Sequence, residues 1–131
     1  MLREFNQTDD AALRERVGAG VKKHNGRYFE AFAIEVGDDL VGCLSIYQRT
    51  NCAVSLGVEI FTAHQGKGHG TRALTEGLRL AKEKGFSLVM DQVGTDNHAS
   101  IAIHRKVGFE CDGYIYKNGN DRTVCLWVKV L

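Results

Sequence analysis

The run Gln65-Gly66-Lys67-Gly68-His69-Gly70-Thr71 is the part of this chain best suited to chemistry. Its glycines alternate with other residues just ahead of an amphipathic helix, although a glycine inside a helix costs about 1 kcal/mol relative to alanine. Glycine lets the backbone approach a ligand closely and leaves its N–H groups open. With the positive end of a helix dipole behind them, such donors form an anion site, each charge-assisted bond contributing roughly 1.5–3 kcal/mol. A diphosphate suits that chemistry without any large basic patch. The same pattern also suits a plain strand-to-helix turn, and glycine spacing alone does not separate the two readings.

Two phosphate-loop patterns are not met. Gly66, Gly68 and Gly70 are evenly spaced and miss Gly-x-Gly-x-x-Gly, and no Gly-Lys-Ser/Thr completes a Walker loop. An RNA-binding loop around Gly66-Lys67-Gly68-His69 would join two helices, whereas this one follows a strand pattern. Glu59 is the only charge on its predicted strand, which makes it a candidate general base; the alternatives are an exposed carboxylate or an ion-pair partner. His64 and His98 are reserve bases near the same region. Cys43, Cys52, Cys111 and Cys125 form no Cys-x-x-Cys pair, so zinc and dithiol chemistry have no support, no metal is expected, and the cysteines read as reduced thiols.

The elements that position these residues follow from periodicity and punctuation. Leu2–Asn6 reads as a short strand, and Thr8 as the N-cap of a helix running through Leu13 and Val17. Tyr28–Val36 and Leu40–Tyr47, separated by Gly37-Asp38-Asp39, read as a β-hairpin. Ala53–Phe61 alternates strictly, with Val54, Leu56, Val58 and Ile60 on one face and Ser55, Gly57 and Glu59 on the other, as an interior strand should. A helix from Gly68 or Gly70 to Lys84 carries the stripe Leu74, Leu78, Ala81, with Gly85 as its terminator. Phe86–Val93 follows as a strand buried on both faces, and strand–helix–strand order implies a parallel crossover. Asn97 caps a short helix with inward Ala99, Ile103 and Val107, ended by Gly108. Glu110–Tyr116 and Arg122–Val130 form a last hairpin around Asn118-Gly119.

Length and composition set the frame. With 131 residues, 44% hydrophobic and 25% charged, residues 1–131 read as one globular α/β domain with a mixed sheet. A net charge of +1 gives no basic excess for nucleic acid. No apolar run reaches the roughly 18–20 residues of a membrane span, and the polar start Met1-Leu2-Arg3-Glu4 is unlike a signal peptide. No nucleic-acid or membrane partner is expected, and a cytoplasmic location is.

A resemblance joins these pieces. Gln65-x-x-Gly68-x-Gly70 resembles the Gln/Arg-x-x-Gly-x-Gly/Ala signature of the GNAT acetyltransferase superfamily. Asn97, Ser100, His104 and Gly108-Phe109 resemble its second signature, in which His104 stands at a position usually held by tyrosine. The resemblance implies a mixed, mostly antiparallel sheet whose parallel strand pair splays around acetyl-CoA, with helices on both faces. It implies that the backbone of Val58, Ile60 and Thr62 pairs with the pantetheine amides. The N–H groups of Gln65, Gly66, Lys67, Gly68, His69, Gly70 and Thr71 would take the pyrophosphate, while Asn97, Ser100 and His104 would flank the cofactor arm. Thr62 stands where many relatives have proline. His104 would donate a proton to the departing thiolate; otherwise it is a surface histidine.

The implied reaction is direct attack of a primary amine, on a small molecule or a protein, on the thioester in a ternary complex. Proximity and the strand backbone would supply most of the acceleration. The alternatives are a non-catalytic acyl-CoA-binding domain on the same fold and, further off, an RNA-binding module. The short stretch before Tyr28 implies either an open acceptor cleft or one completed by a second copy in a homodimer.

Overall fold

The computed structural model describes residues 1–131 as an eight-stranded sheet with three α-helices. The strands are β1 (Leu2–Glu4), β2 (Lys23–His24), β3 (Arg27–Val36), β4 (Asp39–Gln48), β5 (Ala53–Ile60), β6 (Leu88–Gly94), β7 (Glu110–Lys117) and β8 (Thr123–Val130). The helices are α1 (Ala11–Val17), α2 (His69–Glu83) and α3 (His98–Val107). The sheet order is β1-β3-β4-β5-β6-β8-β7, with β2 paired to β3 off that path. Every pairing is antiparallel except β5 with β6. This is the mixed sheet that the GNAT resemblance implies, and α1 lies on the face opposite α2 and α3.

The core forms where α2 covers the sheet. Leu74, Leu78 and Ala81 of α2 pack against Leu44, Ile46, Val54, Leu56 and Val89. Gly77 allows the close approach: a Cβ there would lie 2.8 Å from Leu44 Cδ1. No helix is long and apolar enough to cross a membrane.

Four local expectations are corrected, and one short ribbon is added to them. The cap of α1 is Asp10, whose carboxylate accepts from Leu13 N; Thr8 instead bonds Asn6, while Asp9 is drawn to Arg3 and Asn6. The ribbon of β2 with β3 turns through Asn25-Gly26, both at positive φ (51° and 77°), an Asn-Gly signal that the apolar pattern does not flag. β6 is not apolar on both faces, because Asp91 is buried and Gln92 is exposed. In α3, Ala99 is exposed and Ile103 and Val107 are half-buried, while His104 is the buried residue. Cys111 and Cys125, read as reduced, are joined as a disulfide because the last hairpin brings their strands together; Cys43 and Cys52 are free.

Candidate functional site

The site begins where β5 and β6 stop pairing. Their parallel register holds only for Ala53 with Leu88 and Val54 with Val89. Beyond that point two side chains bridge the strands: Ser55 Oγ donates to the Met90 carbonyl, and the Leu56 N–H donates to Asp91 Oδ1 at 2.9 Å. Strand alternation then fixes what faces the gap. Arg49 N reaches Ala53 O and Phe61 N reaches Val41 O, so odd-numbered residues of β5 pair with β4 and even-numbered residues face β6. Gln65 Nε2 donates to the Ile60 carbonyl at 2.9 Å and closes the far end. Between these plugs the main-chain groups of Val58 face an open gap.

The gap widens into a cleft of about 730 Å³. Val58, Glu59, Ile60, Gln65, Gly66, Gly68, His69, Gly70, Thr71, Asn97, Ser100 and His104 all line it. His64 does too, as one reserve base, whereas His98, Thr62 and Lys67 do not. Thr62 opens a single 3₁₀ turn, Thr62–His64, and is exposed, so its backbone does not extend β5 along the gap as expected.

The glycine turn forms as its composition requires. Gly66 and Gly68 adopt φ of 77° and 80°, the left-handed region where a side chain is strained, and Gly68 is the N-cap of α2. From Gly66 to Thr71 no amide donates to a main-chain acceptor; the first such bond into α2 is Arg72 N to Gly68 O. The run of open N–H groups borders the cleft. His69 is buried and its Nδ1 lies 2.6 Å from an Arg72 guanidinium nitrogen. Burial first, then the charges of Arg72 and Lys67, hold His69 below the usual histidine range. The surroundings of the open amides are therefore cationic.

On α3, Asn97 caps the helix by accepting from Ser100 N at 3.1 Å. His104 points inward against Phe109, with ring centroids 4.6 Å apart. Its Nε2 lies 2.8 Å from Asp91 Oδ2, and its Nδ1 lies 2.8 Å from the Ser100 carbonyl and 3.3 Å from Ser100 Oγ. Both ring nitrogens thus face acceptors, and a ring carrying N–H on both satisfies them together. Asp91, which the sequence reading missed, ties β5, β6 and α3 together. The one signal for it was an acid in an apolar strand.

Glu59 sits at the mouth with 47% of its side chain exposed. Arg16 of α1 grips both of its oxygens, at 3.0 and 3.3 Å. Those bonds hold the Glu59 carboxyl below the usual carboxylate range, making it a weaker proton acceptor than a free glutamate. Burial first, then Glu59, pushes the neighbouring Cys43 thiol up to about 11, so it stays protonated near neutral pH. Cys111, Asp112 and Cys125 bring potential metal ligands together in the last hairpin, but both sulfurs are taken by the disulfide.

A mixed sheet split between its parallel strands, with open amides at the mouth, defines the acyl-CoA N-acyltransferase class of fold. Residues 2–109 match the acetyltransferase (GNAT) family, and the chain belongs to it. No curated protein matches the sequence. Among solved structures, an acetyltransferase from Bacillus subtilis in complex with CoA is similar, with a TM-score of 0.72 at 17% identity, over 100% of this chain and 97% of that one. RimJ of Mycobacterium smegmatis, in complex with CoA-disulfide, gives 0.73 at 22% identity, over 98% and 68%. A ribosomal-protein-alanine N-acetyltransferase from Brucella melitensis gives 0.67 at 25% identity, over 92% and 74%.

Proposed function

We propose that the chain transfers the acetyl group of acetyl-CoA to a primary amine by direct attack in a ternary complex. One observation carries the reading: the open amides from Gly66 to Thr71 border a sheet gap in which the main-chain groups of Val58 face no partner strand. Such amides suit a diphosphate, and a strand edge with its partner withdrawn suits an amide-bearing arm laid along it. Solved relatives of the same fold are complexes with CoA, which supports acetyl-CoA as the substrate held there.

In this reading Val58 N–H polarises the thioester carbonyl, Asn97 and Ser100 bound the arm, and Glu59 attracts the incoming ammonium. With Arg16 lowering its basicity, Glu59 passes the amine's proton to water rather than storing it. The amine nitrogen forms the new C–N bond as the C–S bond breaks. The departing thiolate takes the Ser100 hydroxyl proton, and His104 Nδ1–H replaces it, leaving a neutral ring held by Asp91. His104 is the proton source and Asp91 a positioning residue.

One observation favours a second reading, a non-catalytic acyl-CoA-binding domain: neither His104 nitrogen points freely into the cleft. Calorimetry with acetyl-CoA, followed by thiol release with a panel of primary amines, separates the two. Binding with no thiol released by any amine leaves the binding domain; absence of binding removes both.

A further inference from the structure

A second cleft, of about 430 Å³, opens on the sheet face opposite α2 and α3. Asp91 and Gln92 are consecutive on β6 and point to opposite faces; Asp91 meets α3, so Gln92 faces the other way. Gln92 lines both this cleft and the one between β5 and β6, so the two meet at its side chain. The second cleft is therefore where a molecule approaching the gap from the α1 face would extend.

Its lining has two guanidinium groups, Arg49 and Arg122. The Asp96 carboxylate borders it at Gly94, where a Cβ would lie 3.1 Å from Asp96 Oδ1 and 3.2 Å from Arg122 Nη2. Neither arginine enters an ion pair anywhere in the chain. Arg49 is already oriented: its Nε donates to Ser55 Oγ at 2.8 Å, a terminal nitrogen lies 3.2 Å from Tyr47 Oη, and the guanidinium stacks 4.7 Å from the Tyr47 ring centroid. Arg122 comes from the β7–β8 loop. That loop is held in shape by Asn118, whose side-chain oxygen accepts from Asn120 N and Arg122 N, both at 3.0 Å. Asn118 Nδ2 in turn reaches Gln92 Oε1 at 3.4 Å, tying the loop to the shared residue.

We infer that this cleft receives an anionic group of the acetyl acceptor, a carboxylate, so that the acceptor is an amino acid or acidic amine rather than a polyamine. Planar guanidinium donors match a carboxylate's two oxygens, and cations lining a cleft repel a second ammonium. The inference rests on the transferase reading and specifies its acceptor.

The test pairs acceptors that differ in one group. With acetyl-CoA saturating, thiol release is measured for the common L-amino acids and for their α-carboxamides. The carboxylates should give kcat/KM on the order of tenfold higher or more. Arg122→Ala, whose side chain makes no structural hydrogen bond, and Arg49→Gln should each erase most of that preference while leaving acetyl-CoA affinity unchanged by calorimetry. Equal or better use of the amides, or a preference that survives both substitutions, overturns the inference. A binding arm covers the case in which no probe is acetylated. In the CoA-loaded, ¹⁵N-labelled protein, the side-chain resonances of Arg49 and Arg122 should shift with N-acetylglycine and not with N-acetylglycinamide. No difference between the two overturns the inference; a difference without acetyl transfer to any amine removes the transferase reading instead.

Discussion

Replacing Asp91 by asparagine isolates the contact on which the proton route depends. Asp91 uses one oxygen for the Leu56 amide at 2.9 Å and the other for His104 Nε2 at 2.8 Å. An asparagine can keep its oxygen on Leu56, but its NH₂ then faces His104 Nε2. The ring must give up that proton to accept, keeping its remaining N–H on the Ser100 carbonyl. What is lost is the charge-assisted hydrogen bond between His104 Nε2 and the Asp91 carboxylate, about 1.5–3 kcal/mol, which converts to a fall in kcat of about 10- to 150-fold. Acetyl-CoA affinity should stay near that of the unaltered protein, because neither Asp91 oxygen is directed at the open amides. The assay is thiol release against pH with one accepted amine, alongside calorimetry for acetyl-CoA. Asp91→Leu is the contrasting variant: it strands both the Leu56 N–H and His104, and should lose about 3–5 kcal/mol of stability by urea unfolding. An Asp91→Asn protein with unaltered kcat across the pH range would refute the proton route and reduce His104 to a wall residue.

Other outcomes follow from single contacts. Gly68→Asp places a side chain at φ 80° in open space and a negative charge beside the open amides. It should cost about 1–2 kcal/mol of stability and lower acetyl-CoA affinity on the order of a hundredfold by calorimetry. Gly42→Ala drives a Cβ to 2.0 Å from the Glu59 carbonyl, so β4 and β5 must part locally; thermal unfolding should report a loss of about 1–3 kcal/mol. The hydrogen bonds of Arg3 hold Asp9 down at about 2, below its ordinary 3.8. A depressed carboxyl stabilises the fold above its unfolded value, and that contribution is lost as pH falls through the folded one. Urea midpoints should therefore drop between about pH 4 and pH 2, and Arg3→Ala should flatten the drop.

What the sequence discloses here is what is local. The turn at Gly66–Gly70 is legible because its demand on φ is written in the residues that meet it. The alternation of Ala53–Phe61 is legible because burial on one face leaves a period of two. His104 and Asp91 are not legible in that way: only the resemblance singles out the histidine, and an acid inside the apolar run Phe86–Val93 gives no local sign of its partner. Their burial depends on each other across 13 positions of sequence. The cap of α1 was misplaced for a related reason. Thr8, Asp9 and Asp10 can all cap, and Arg3 and Asn6 decide among them by taking Asp9. Arg16 on Glu59, 43 positions away, is likewise invisible in the strand pattern, and it gives the candidate base a cationic partner.

The opening between β5 and β6 also has a cost that the chain offsets at its two ends. Splaying two central strands strands main-chain donors and acceptors, and buried ones left unpaired cost about 1–3 kcal/mol each. Ser55 takes the Met90 carbonyl and Asp91 the Leu56 amide at the closed end, while Gln65 takes the Ile60 carbonyl at the mouth. Val58 lies between them, unplugged by any side chain. Side chains are spent where the gap must stay shut and withheld over the length of about one extended amide. A ligand bearing an amide there would restore the missing ladder, and the same Asp91 that plugs the closed end holds His104 beside it.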